Sequence, residues 1–332
     1  MVALTMSVER ERWQYRAPFR IAGYTRDVSE FVVVTLHQDG KVGRGEAAGV
    51  RYRNENAASM VAQIEALRDV IEGGIDRHAL QEILAPGGAR NAIDCAMWDL
   101  EAKLTGQPAW QRAGLSKPHP VLTDFTCGAE SPQEMVATAL GYEQARAIKL
   151  KLTGEMPLDA ERVVAVRKAC PTVWLSVDAN QAFKTCSALE ELMPVLIDCR
   201  VEVIEQPFAI GQESLLDGFD SPIPIHADES VQRLSDLPQL LGRFQGINIK
   251  LDKCGGLTEG LQLAREARAR GLEVSVGNMV GTSLAMAPGV LLGQLCKVVD
   301  LDGPLFLKAD RAVTVRYSDG YITCPEELWG HA

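Results

Sequence analysis

The chain has 332 residues, 46% hydrophobic and 23% charged, a globular balance that excludes disordered, collagen-like and disulfide-scaffold classes. At roughly 150 residues per domain, the length accommodates about two domains. Lys and Arg number 34 against 44 Asp and Glu, and the resulting −10 repels nucleic acid and anionic membranes.

The amino-terminal stretch MVALTMSVERERWQYR reaches Glu9 and Arg10 without an apolar run, so no secretory leader is read there. Residues 1–45 read as antiparallel strands, with the apolar run Phe31–Leu36 turning at Asp39-Gly40. From Asn54 to Leu104 the apolar spacing becomes helical. It is clearest in ARNAIDCAMWDLEAKLT (89–105), which Gly106 closes and where Met97 and Trp98 read as core. Residues 1–118 therefore form an α+β domain. After Pro118 and Pro120, β-branched runs at 121–126, 147–152, 173–178, 201–205, 223–228, 246–251, 272–276 and 297–301 alternate with amphipathic segments. The helical segments fall at 131–145, 158–169, 187–199 and 258–270. Eight strands joined in this way are enough to close a parallel barrel over residues 119–306. No G-x-G-x-x-G follows the first strand, which argues against an open nucleotide-binding sheet. Residues 307–332 read as strands returning to the first domain. The charge-free stretch Val274–Cys296 contains Asn278, Thr282, Ser283, Pro288 and Gln294, and is read as strand, loop and buried helix rather than a membrane span. Eight cysteines scattered without a CxxC pair are expected to be reduced thiols in a cytoplasmic protein.

Charged residues recur at the strand ends. Lys149 and Lys151 end AIKLK, Asp178 ends VWLSVD, Glu205 ends VEVIE, Asp228 ends IPIHAD and Lys250 ends GINIK. Spacings of 27, 27, 23 and 22 residues separate Lys151, Asp178, Glu205, Asp228 and Lys250, one β/α unit each, and Asp300 follows two units later. Strand ends converge on one mouth of a barrel. A single strand-end acid is most often a helix cap. Three in succession flanked by lysines would repel unless a cation sat among them, and oxygen ligands favour Mg²⁺, with Mn²⁺ as a substitute. Lys149 and Lys151 share a strand face, and two ammonium groups held close are expected to lower the pKa of at least one toward that of a base. Lys250 would face them from across the ring. His226 reads as an interior histidine, and Cys254 lacks a partner that would make it a nucleophile.

The motifs KLK, SVDANQAF, VIEQP, HADES and NIKLDKCGG, in this order, resemble the enolase superfamily, muconate-lactonizing subgroup, and VDLDGPLFL resembles the Asp-x-Asp segment of its dipeptide epimerases. The similarity extends through APFRIA, GRGEAA and ARNAIDCAMWDL, nearly the whole chain. The resemblance implies a (β/α)7β-type TIM barrel with an α+β N-terminal capping domain completed by the C-terminal segment. It implies Asp178, Glu205 and Asp228 as Mg²⁺ ligands, Lys151 and Lys250 as acid/base catalysts with Lys149 tuning Lys151, and Asp300 and Asp302 on a dipeptide ammonium. Lys253 is expected deeper in the loop or at the start of the next helix. The implied activity is L-Ala-D/L-Glu epimerisation by two-base 1,1-proton transfer through an enediolate. A cap loop at 16–26 would cover the dipeptide, with Arg26 as the candidate for a side-chain carboxylate and Arg20 and Tyr24 as competitors. Gly281 stands where subgroup members carry a glutamate.

Other readings are an acylamino acid racemase, a cycloisomerase or a dehydratase on the same scaffold, a lysine Schiff-base aldolase, or a non-catalytic binding protein. Asp300 and Asp302 favour a substrate with a free ammonium. A homo-oligomer is compatible with the sequence.

Overall fold

The computed structural model of the chain describes residues 3–21 and 24–332, and the side chains of 18–26 lie outside the described residues. Strands β1 (Thr5–Ile21), β2 (Tyr24–Gln38) and β3 (Lys41–Ala47) form an antiparallel sheet with β2 in the middle. Asp39 and Gly40 join β2 to β3 with φ of 48° and 74°, the paired positive angles of a tight hairpin turn that the Asp-Gly signal anticipates. Where the sequence reads as a cap loop, β1 and β2 remain paired as far as Ile21 and Tyr24, with a register irregularity between Gln14 and Phe19. The buried helix Gly88–Thr105 lies on β3 at close range. A Cβ at Gly45 would fall on the carbonyl oxygen of Ala92, and one at Gly43 on that of Ala96. The glycines of GRGEAA thus let strand and helix backbones meet.

The second sheet holds seven parallel strands in chain order: β5 (Asp124–Cys127), β6 (Ala147–Lys151), β7 (Trp174–Asp178), β8 (Val203–Glu205), β9 (Ile225–Ala227), β10 (Gly246–Lys250) and β11 (Glu273–Gly277). The short β4 (Val121–Leu122) precedes them. Val299 bridges both Thr123 and Val276, so the ring closes through one residue where a strand over 297–301 is predicted. The unequal spacing of the charged strand ends also has a cause. The 27-residue units carry the helices Met156–Ala169 and Cys186–Asp198, whereas the shorter ones carry only the turn Glu213–Leu216 and the pair Leu234–Asp236 and Leu237–Leu240. The charge-free stretch becomes β11, a loop and the buried helix Ser283–Leu292. Among the described residues no helix is long and apolar enough to cross a membrane.

The C-terminal strands β12 (Arg316–Ser318) and β13 (Tyr321–Thr323) form a hairpin that pairs with β4 at the foot of the barrel, not with the N-terminal sheet. The flanks make the return to the first domain: Leu307 bridges Tyr15, and the Trp329 indole donates to the carbonyls of Arg44 and Cys95. Further contacts dock the two parts. Buried Arg90 donates to the carbonyls of Cys254 and Gly255 and pairs with Glu259, Trp98 donates to Thr258, and Asp252 accepts from the N–H groups of Ala48 and Gly49. This docking sets the turn Arg51–Arg53 against the barrel mouth.

Because the obstacle at Gly45 is backbone, Gly45→Ala is expected to destabilise the chain by about 1–3 kcal/mol. Urea unfolding measures this, and an unchanged midpoint would contradict the close approach.

Candidate active site

Alternation along β6 turns Lys149 and Lys151 to the same face, and parallel register sets Lys151 beside Asp178 and Asp178 beside Glu205. Asp178, Glu205 and Asp228 are buried, and one oxygen of each lies within 4.8 Å of the others. Four lysines answer this negative charge. Lys149 Nζ donates to Glu205 at 2.8 Å and Asp300 at 2.9 Å and lies 3.6 Å from Asp178. Lys151 reaches Asp178 at 2.5 Å, Lys250 reaches Asp228 at 2.6 Å, and Lys253 takes the other Asp228 oxygen at 2.5 Å. The structure therefore assembles Lys149, Lys151, Asp178, Glu205, Asp228, Lys250 and Asp300 into one ring of charge.

Burial alone would raise Asp228, but Lys250, Lys253 and Lys149 hold its carboxyl far below the usual range. Asp178 is lowered too, with Lys151 and Lys149 outweighing burial. For Glu205 burial dominates, and its carboxyl is pushed up to about 7 despite Lys149. Burial works against the charge of Lys149, yet Asp300, Glu205 and Asp178 drive its ammonium well above its ordinary value. Lys149 is therefore not a lysine lowered by its neighbour, because its head is turned into three carboxylates. Lys250 is likewise raised, because Asp228 and Glu205 outweigh burial.

Residues not singled out from sequence hold the ring in place. The Asn180 N–H donates to Asp178 at 2.8 Å and its amide to Glu229 at 3.3 Å. Gln206 accepts from the N–H groups of Asp228 and Ser230, and Asn248 donates to Glu205 at 3.0 Å. Asn180 and Gln206 adopt positive φ, 42° and 36°, just beyond two of the acids. Asn248 was legible in principle, since it lies two residues before Lys250 on an alternating strand. Lys253 sits in the short helix Leu251–Cys254 that follows β10 and bonds Asp228 directly. Tyr52 comes from the docked turn, where its ring is partly exposed and its hydroxyl accepts from Gln232.

Asp302 is buried and accepts the Thr126 N–H at 2.7 Å; burial and Asp300 push its carboxyl up to about 7. Space next to Gly281 is taken: a Cβ there would meet Ala285 at 2.8 Å and the Glu46 carboxylate at 3.2 Å. Glu46 of β3, held by the Thr282 N–H and by Arg311, thus brings a carboxylate to this place. His226 lies inside the barrel below the ring, with Ser275 3.5 Å from its Nδ1. Cys254 is buried, which pushes its thiol up to about 12, as befits an inert residue. The side chains of Arg20, Tyr24 and Arg26 lie outside the described residues.

A cluster of hard oxygen donors with no sulfur or imidazole fits one Mg²⁺ or Mn²⁺, so Asp178, Glu205 and Asp228 can hold the ion. A barrel with such a mouth under an α+β cap defines a metal-dependent enzyme of the enolase type. The chain belongs to that superfamily: residues 3–114 match the mandelate racemase/muconate lactonizing enzyme N-terminal domain, and residues 133–330 match the enolase C-terminal domain-like model. It is similar to the L-Ala-D/L-Glu epimerase of Escherichia coli K12, 39% identical over 318 residues, 96% of this chain and 99% of that one. A solved enolase family member from Agrobacterium tumefaciens with homology to dipeptide epimerases, carrying sodium and L-Ala-L-Glu, is 35% identical. It superimposes with a TM-score of 0.93 over 98% of this chain and all of the other. A dipeptide epimerase from Enterococcus faecalis, complexed with Mg and L-Leu-L-Tyr, is 26% identical with a TM-score of 0.89 and 99% of each chain covered.

Glu205 must lose its proton to become a ligand, so Mg²⁺ affinity is expected to fall as pH drops below about 7. Calorimetric titration at pH 8 and pH 6 measures this, and equal affinities would contradict the raised carboxyl.

Proposed function

We propose that this protein is a Mg²⁺-dependent dipeptide epimerase of the L-Ala-D/L-Glu type, an isomerase that inverts the α-carbon of the C-terminal residue by two-base proton transfer. The observation that carries the reading is the placement of Lys151 on β6 and Lys250 on β10, on opposite sides of the triad and each held by one of its acids. The names and bound dipeptides of the relatives support it.

Asp178, Glu205 and Asp228 would hold Mg²⁺, which when bound would supply positive charge to the substrate carboxylate and so acidify the α-proton beside it. Lys151 and Lys250 then face the α-carbon from two sides, one taking a proton and the other returning one to the opposite face. Asp178 and Asp228 hold these ammonium groups in position. Lys149, fixed by Glu205 and Asp300, balances the charge of the acids from below. Asp300 and Asp302 are the partners for the dipeptide ammonium, a charge that carboxylates bind well in a site lined by lysines. The reading assigns Arg26 and Tyr24 to the side chain of the second residue. The cytoplasm is the compartment it fits, since all eight cysteines are free.

Lys151→Ala and Lys250→Ala are each expected to lower epimerisation by about a hundredfold or more while Mg²⁺ still binds. NMR of α-carbon exchange in ²H₂O reads the effect, and activity retained in both variants would refute the two-base scheme. Dipeptides with a free amino terminus should exceed their N-acetyl counterparts in kcat/KM by at least about tenfold, the worth of a charge-assisted pair. Equal values would favour an acylamino acid racemase instead.

A further inference from the structure

TIM-barrel interiors are ordinarily filled by layers of branched apolar side chains. Below the charge ring of this barrel the inward positions include Asp124, Ser176, His226, Asn248 and Ser275 beside Val203, and they leave a cavity of about 270 Å³. The cavity reaches from beneath Glu205 and Asp300 to the strand starts at Trp174, Glu202 and Glu273, so it opens on the face opposite the active site. Three buried polar atoms of its lining, Asp124 Oδ1, Trp174 Nε1 and Asn248 Oδ1, have no hydrogen-bond partner among the described residues. His226 Nε2 has only a 3.4 Å approach to Glu273. Asp124 and Asn248 are 5% and 1% exposed, so bulk solvent does not satisfy them.

Buried polar groups are almost always paired, with protein or with ordered water, and each unpaired one costs about 1–3 kcal/mol. Cavities that stay dry are apolar, while roomy polar ones hold water. We infer that the floor of this barrel is a built water site: an ordered column enters at the amino-terminal face and ends on Asn248, where it fixes the amide that holds Glu205. The geometry of Asn248 makes the connection. Its Nδ2 donates to Glu205 at 3.0 Å, which leaves Oδ1 on the cavity. Gly277 gives the amide its room, since a Cβ there would lie 2.7 Å from Nδ2. A flipped amide would set oxygen against a carboxylate, and a water donating to Oδ1 selects the orientation that donates. The coupling to metal rests on reading Glu205 as a ligand; the presence of water does not.

Ser275→Leu fills the cavity with an apolar side chain at a position outside the charge ring. Oxygen-17 magnetic relaxation dispersion on the full chain counts its long-lived internal waters, and the variant is expected to lose several of them. Calorimetry with Mg²⁺ alone should show affinity falling about tenfold, the usual effect of disturbing a group that orients a ligand. An unchanged water count, or uptake of xenon by the native cavity, would overturn the column. Lost waters with unchanged affinity would overturn its coupling to Glu205. A native chain that binds no Mg²⁺ would refute the metal reading while the water count still decides the column. Should the variant fail to fold, a high-resolution crystal structure of the native chain decides. Waters bonded to Asp124, Trp174 and Asn248 are expected, and a dry cavity would refute the inference.

Discussion

Carboxylates buried within 4.8 Å of one another repel, and most of the barrel mouth is arranged around that repulsion. An unpaired buried charge is severely destabilising, so the three acids can be enclosed only with positive charge in reach. Lys149, Lys151, Lys250 and Lys253 supply it from two segments of the chain, and Asp300 joins through Lys149. The compensation is uneven. Asp228, with two lysines in contact, is held well below the ordinary range, while Glu205, with one, is raised. The electrostatics that make the ring costly to bury also suit it to a divalent cation, and they hold Lys151 and Lys250 against two different acids of the triad.

The ring depends on a scaffold that brings distant segments into register. Parallel pairing aligns the ends of β6, β7 and β8, so their terminal residues become neighbours without any local sequence relationship. The capping part is locked to the barrel by buried polar contacts. Arg90 sits in the carbonyls of the loop just after Lys253, and Glu46 sits between Thr282 and Arg311. These contacts deliver Tyr52 to the mouth and fill the place beside Gly281, so the cap contributes residues to the site.

Much of this was legible in the sequence, because two of its signals are periodic. The recurrence of a charged strand end every 22 to 27 residues follows from the size of a β/α unit, and the two-residue spacing of Lys149 and Lys151 follows from strand alternation. Relationships without a period were hidden. The head of Lys149 chooses three carboxylates over the company of Lys151, and only the fold shows where those acids lie. Asn180 and Gln206 act through positive-φ backbone that no spacing marks. Tyr52 and Glu46 arrive by docking of the cap. Closure through Val299 alone, and the pairing of the C-terminal hairpin with β4, are likewise choices of tertiary packing between strands of similar composition.

That three acids share one ion is the point on which the rest turns, and metal stoichiometry tests it most directly. Titration of the metal-free chain with Mn²⁺, followed by electron paramagnetic resonance, should give one ion per chain and a strong loss of binding in Glu205→Gln and Asp228→Asn. Full-affinity binding in both variants would contradict it, as would a native chain that takes up no ion.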